Sequence, residues 1–199
     1  MPPTNRHQRS HYRIRTTVFG NGERMPILVD ARCGLPLFDP CVYVSTEIRP
    51  KTGSAATIEQ ALRGVQFLLT FVAERQIDVH ERFAVGRFLD LHELDDLLRA
   101  AYLPFGRTAL QTGNPQPADP KVVSLDKVRR RAPRLKEERM VAISTIAIRL
   151  YYASAYLEWM GQRAARQVCK TLEEKNNYVV RLREFRSCLR SRTPSARVS

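Results

Sequence analysis

The chain contains residue types able to do chemistry, but not at the spacings of a catalytic or metal site. Three carboxylates lie close together at Glu93, Asp95 and Asp96. On a helix, residues 93 and 96 share a face and Asp95 points elsewhere. Such a pair could hold a cation, but a solvated helix face is the plainer meaning and the one expected. The cysteines, Cys33, Cys41, Cys169 and Cys188, form no C-x-x-C pair, and His7, His11, His80 and His92 stand at no zinc-ligand spacing from them. The cysteines read as reduced and partly buried, and no metal or cofactor is expected. No G-x-x-x-x-G-K-[ST] or G-x-G-x-x-G segment offers a phosphate loop. No G-x-S-x-G or H-E-x-x-H segment offers a nucleophile or a zinc site. No residue set specifies catalysis, so the chain is not expected to be an enzyme.

Charge is the stronger signal. The 199 residues carry 33 Lys and Arg against 20 Asp and Glu, a formal surplus of +13. A surplus of that size points to a polyanion partner, most often nucleic acid. The charge is uneven: residues 1–54 hold +4, 55–103 hold −3, 104–139 hold +5 and 140–199 hold +7. The acidic segment is expected to face away from the polyanion or to pack on a basic neighbour. The densest run is Lys127, Arg129, Arg130, Arg131, Arg134 and Lys136, in which Pro133 disrupts helix. Following a linker and preceding a basic helix, it reads as a set of phosphate contacts. Arg149, Arg163 and Arg166 join it as candidate DNA-binding residues. Arg181, Arg183, Arg186, Arg190, Arg192 and Arg197 make the chain's end a further DNA-facing candidate or a solvated tail.

These groups need elements to position them. The apolar share of 43% suffices for a core. Residues 55–76 read as the clearest helix, with Ile58, Ala61, Leu62, Val65, Leu68, Leu69 and Val72 in one stripe. Phe67 and Phe71 widen that stripe, which makes the helix central. Ser54 or Thr57 is expected to cap it, Thr57 and Gln60 having capping-box spacing. Gln76–His80 reads as a connector. A second helix is expected over 90–103, with Asp90 as N-cap, Glu93 three residues later, and Leu91, Leu94, Leu97, Leu98 and Ala101 inward. Residues 104–124, rich in Gly and Pro, read as a linker. A third helix is expected over 141–163, with Ile143, Ile146, Ala147, Leu150, Ala153, Ser154, Leu157 and Met160 in its stripe and Tyr156 and Trp159 at the edge of the core. A fourth, densely basic and weakly amphipathic, is expected over about 166–190, with Val168, Leu172, Val179, Leu182, Phe185 and Leu189 as its apolar positions.

Residues 12–48 look extended, with a turn at Gly20–Glu23, a second at Arg32–Gly34 and a third apolar stretch at Val42–Thr46. Pro26, Pro36 and Pro40 argue against a central strand. The expected fold is mainly α: a small helical bundle over 54–190, an extended arm or short β-hairpin over 1–53 laid on it, and a disordered basic tail over 191–199. No apolar run spans a membrane and the polar N-terminus has no signal-peptide core, so a cytoplasmic location is expected.

The segment Ile27–Pro40 followed by Tyr43 resembles the N-terminal region of phage-type bacterial tyrosine recombinases, the site-specific integrases. The resemblance continues through Ala56–Leu62, Phe67–Leu69, Glu74–Asp78, Glu81–Phe83 and Phe88–Leu89. It returns at Arg149–Tyr151 and Tyr156–Trp159. In that family this region is a helical, SAM-like core-binding domain, one half of a clamp around the DNA site. A second domain follows it there and carries a Tyr nucleophile with Arg, Lys and His groups, including an H-x-x-R motif. No H-x-x-R occurs in this sequence, and Tyr178 lacks the motif around the family's nucleophile. The resemblance therefore implies a DNA-binding module of a truncated or split integrase, with double-stranded DNA as its partner, acting in DNA recombination or integration without the strand-cleavage site. The alternative expectation is a regulatory protein that docks on a full-length or separate catalytic recombinase chain.

Overall fold

The computed structural model describes residues 11–52, 54–104 and 141–192. The fold is a helical bundle with one antiparallel hairpin near the N-terminus. Strands β1 (Tyr12–Val18) and β2 (Arg24–Asp30) pair in register from Tyr12 opposite Asp30 to Val18 opposite Arg24. Pro26 is tolerated because a two-stranded ribbon consists only of edges, so no inner ladder bond is lost. Met25, Leu28 and Val29 of β2 are buried in the main core, while β1 stays largely exposed. The hairpin thus lies on the helical body, anchored by its second strand.

The third apolar stretch is not extended. Residues 38–52 form α1 (Phe38–Tyr43), a π-helical turn over Val44–Ile48 and α2 (Arg49–Thr52). Pro40 sits in the first turn of α1, where its missing N–H has no helical partner to lose. The β-branched run Val42, Val44, Thr46 and Ile48 favours a strand locally. Burial of Tyr43 and Val44 in the core overrides that weak preference. Pro50 accounts for the wide turn, because its ring would clash with the carbonyl of Thr46 in a regular α-helix. The N–H of Arg49 reaches back five residues to the carbonyl of Val44.

Helix α3 (Ala55–Glu74) is central, as its wide apolar face implies. It buries Ile58, Ala61, Leu62, Val65, Phe67, Leu68, Phe71 and Val72. Ser54 is the N-cap residue, so Thr57 lies inside the first turn and the Thr57–Gln60 capping box does not form. The expected connector contains the start of a short helix, α4 (Val79–Ala84), capped by Asp78, whose carboxylate accepts the N–H of Glu81 at 2.9 Å. Helix α5 (Leu91–Ala101) begins where Asp90 and Glu93 place it, but Leu91, in its first turn, is exposed.

Helix α6 (Ile143–Val168) crosses α3 closely. An ideal Cβ on Gly64 would lie 2.6 Å from Tyr152 Cβ, so only glycine permits this approach. Ile143 is exposed ahead of the packed face, and Tyr156 is at the centre of the core rather than its edge. Tyr156 meets Tyr43 edge-on at 5.2 Å and stacks on Trp159 at 5.7 Å. The last helix does not begin near 166. Residues 166–168 complete α6, the helix is interrupted over residues 169–171, and α7 runs over Leu172–Arg192. Thr171 and Glu174 form the N-terminal box: Thr171 Oγ1 accepts the N–H of Glu174 at 3.2 Å, and Glu174 accepts the N–H of Thr171 at 3.3 Å. Tyr178, Leu182, Phe185 and Leu189 dock α7 on the body, while Val168 and Leu172 are exposed. Among the described residues no helix is long and apolar enough to cross a membrane.

Candidate nucleic-acid interface

The candidate DNA-binding residues fall into three groups. Lys127, Arg129, Arg130, Arg131, Arg134 and Lys136 lie outside the described residues, as do Arg197 and the side chain of Arg192. Arg149 faces inward. Its Nη1 donates to the carbonyls of Ala101 at 3.1 Å and Leu103 at 3.0 Å, and its guanidinium lies 5.9 Å from the Phe67 ring. Burial lowers its pKa from the usual arginine value. Arg149 thus caps the C-terminal carbonyls of α5.

Arg163 and Arg166 are brought together. They line a surface groove of about 320 Å³ between α1 and α6, with Phe38, Trp159 and Gln162. Arg163 Nη1 donates to Asp39 Oδ1 at 2.7 Å, and its guanidinium lies 5.5 Å from both the Phe38 and Trp159 rings. Phe38 is 69% exposed although aromatic, so its ring is available to a planar partner. Arg166 is exposed and pairs with no carboxylate among the described residues. A second groove of about 370 Å³ continues along α6, lined in part by Lys51, Tyr151, Glu158, Trp159, Arg186 and Arg190. Glu47 and Trp159 line both.

Helix α7 supplies the flank of this surface. Arg183, Arg186 and Arg190 stand at i, i+3 and i+7, on a face that flanks the docking residues Tyr178, Leu182, Phe185 and Leu189. Arg186 pairs with Glu158 through a short contact, which ties the stripe to the groove. Arg183 and Arg190 are exposed and pair with no carboxylate among the described residues. Arg181 lies elsewhere, over Gly86. Phe38 and Lys51 were missed in the sequence because a stretch read as extended gives no helix face on which to place them.

Tyr178 has a structural position. It is 3% exposed, and its hydroxyl donates to the carbonyl of Phe83 at 3.0 Å. Burial pushes its phenol up to about 12, the wrong direction for a nucleophile at neutral pH. Among the described residues no group of three His, Cys, Asp or Glu side chains could hold a metal ion.

Compared with known protein families, curated proteins and solved structures, the chain matches none.

Proposed function

We propose that this chain is a DNA-binding module, of the kind that occupies a recombination site without cutting it. The supporting observation is the arginine stripe of α7, Arg183, Arg186 and Arg190, running beside a groove that holds Arg163, Arg166 and the exposed ring of Phe38. From residue 183 to residue 190 the helix rises about 10 Å. One strand of a duplex presents one negative charge per about 3.4 Å of axis, so a stripe of this length spans about three phosphate charges. Guanidinium groups suit phosphate oxygens because they donate in a planar fork. The positive run over 127–136 adds to the same reading from sequence alone. The tyrosine-recombinase resemblance supports the recombination context.

The test is fluorescence anisotropy of the full chain on a labelled duplex of arbitrary sequence, across rising salt. Arg166, Arg183 and Arg190 alone give a slope of log K against log salt of roughly −3, which contacts from the 127–136 run steepen. Arg183→Ala with Arg190→Ala weakens binding to every duplex alike and flattens the slope by about 2, because phosphate contacts carry no sequence information. A salt-independent affinity, or a double variant that binds as the parent does, overturns the proposal.

A further inference from the structure

The face of α6 that lines the two grooves carries rings as well as cations. Tyr151, Ala155, Trp159, Gln162 and Arg166 recur at i, i+4, i+8, i+11 and i+15. At 100° per residue they share one side of the helix, over a rise of about 22 Å. Two aromatic rings on this track are open to solvent: Phe38, in the first groove, and Tyr151, 60% exposed, in the second. Each has a neighbour that holds it. Tyr151 meets Tyr152 edge-on at 5.1 Å, and Phe38 has the guanidinium of Arg163 at 5.5 Å. Trp159, between them in the sequence of α6, lines both grooves.

The charges of the track can be balanced residue by residue. Its carboxylates, Glu47 and Glu158, are met by Lys51 at 3.2 Å and by Arg186. Arg163 is taken by Asp39 at 2.7 Å. Arg166 in the first groove and Arg190 in the second pair with no carboxylate among the described residues. Each groove therefore combines one open ring with one uncompensated guanidinium.

We infer that these grooves take an unpaired DNA strand, with one base stacked on Phe38, another on Tyr151, and phosphates against Arg166 and Arg190. The inference rests on the DNA-binding reading above. A base inside a duplex has its faces covered by its neighbours, so only an unpaired base can offer one to either ring. The grooves, about 320 and 370 Å³, lie at the small end of ligand sites, about 300–1,000 Å³, and suit single bases rather than a double helix. Such stacking tolerates any sequence, because every base has a π-face. The stripe of α7 then meets paired DNA, and α6 holds a strand that has left it.

The test compares, with the full chain, a fully paired duplex, the same duplex with a central bubble of unpaired thymidines, and a bubble of abasic sugars. The parent is expected to prefer the thymidine bubble by about tenfold, the worth of one stacked base. The abasic bubble keeps the phosphates and the flexibility but has no π-face, so the preference disappears. In Phe38→Ala with Tyr151→Ala it disappears too, while affinity for the paired duplex stays within about twofold, because neither ring reaches stacked bases. Tyr151→Phe keeps the preference, since the ring remains. Trp159, the chain's single tryptophan, gives a second readout: its emission falls on adding the thymidine bubble and not the abasic one. Circular dichroism checks that the variants keep their helices, and the abasic comparison needs no variant. Equal affinity for paired and bubble duplexes, or a preference that survives in the abasic bubble or the double alanine variant, overturns this inference alone. No binding to any of the three overturns it and the proposed function together.

Discussion

Glu93 Oε2 accepts two hydrogen bonds, from Arg82 Nη1 at 2.6 Å and from the N–H of Asp90 at 2.8 Å. One oxygen thereby ties α4 to the first turn of α5. Burial raises the Glu93 pKa, but the Arg82 bond, the Asp90 N–H and nearby guanidinium charges outweigh it and hold the carboxyl below its usual value. The folded state therefore binds this proton less tightly than the unfolded chain does. The contribution is complete above the unfolded value of about 4.3 and is lost as pH falls through the lower folded value. Glu93→Gln is expected to cost about 1–2 kcal/mol at pH 7. Urea midpoints of parent and variant should converge below about pH 4. A gap that stays constant to pH 3 would refute this role.

Arg149→Met separates capping from phosphate contact. It removes two charge-assisted bonds to the carbonyls of Ala101 and Leu103. The expected cost is about 2 kcal/mol, read as a shift in urea midpoint. DNA affinity of the folded variant should stay within about twofold of the parent, since only surface cations release counterions. A large loss of affinity without loss of stability would return Arg149 to the DNA contacts.

Two glycines on close crossings should behave differently. A methyl at Gly64 meets Tyr152 Cβ and, at 3.2 Å, the backbone oxygen of Arg149. One at Gly161 meets the two methyl carbons of Leu182, which can rotate away. Gly64→Ala is expected to cost about 2–3 kcal/mol by overpacking, and Gly161→Ala less than about 1. Thermal melts of the two variants give the ranking, and its reversal would contradict the α3–α6 geometry.

Tyr178→Phe should cost about 1 kcal/mol at neutral pH by removing one of the two hydrogen bonds that the Phe83 carbonyl accepts, the other coming from the N–H of Gly86 at 3.1 Å. The phenol titrates near 12 in the fold, against about 10 in the unfolded chain. A raised acid stabilises below its unfolded value and loses that stabilisation as pH climbs through the folded one. The gap between parent and variant is therefore expected to close between about pH 10 and 12. A gap unchanged at pH 12 would count against the assignment.

The parts of the fold legible in the sequence are those whose pattern and packing agree. The stripe from Ile58 to Val72 and the Asp90–Glu93 start signal both stand where they point. Residues 42–46 are not extended because local β preference is overruled by the burial of Tyr43 against the Tyr156 and Trp159 rings of α6 and of Val44 in the core. The break between α6 and α7 has no Gly or Pro to mark it, yet Thr171 and Glu174 have capping-box spacing that would have located it. At the candidate interface, the sequence gives residue types but not their company. Nothing local tells Arg149, which turns inward, from Arg166, which turns out.

Helix α7 is held by one narrow seam, Tyr178, Leu182, Phe185 and Leu189. On its outer side Glu158 already meets the charge of Arg186, while Arg183 and Arg190, seven residues apart, keep theirs. A neutralising counter-surface would meet the two that remain. If the proposed function holds, capturing a polyanion and firming up this helix become one event, and occupancy would be readable as slower amide exchange along 183–190.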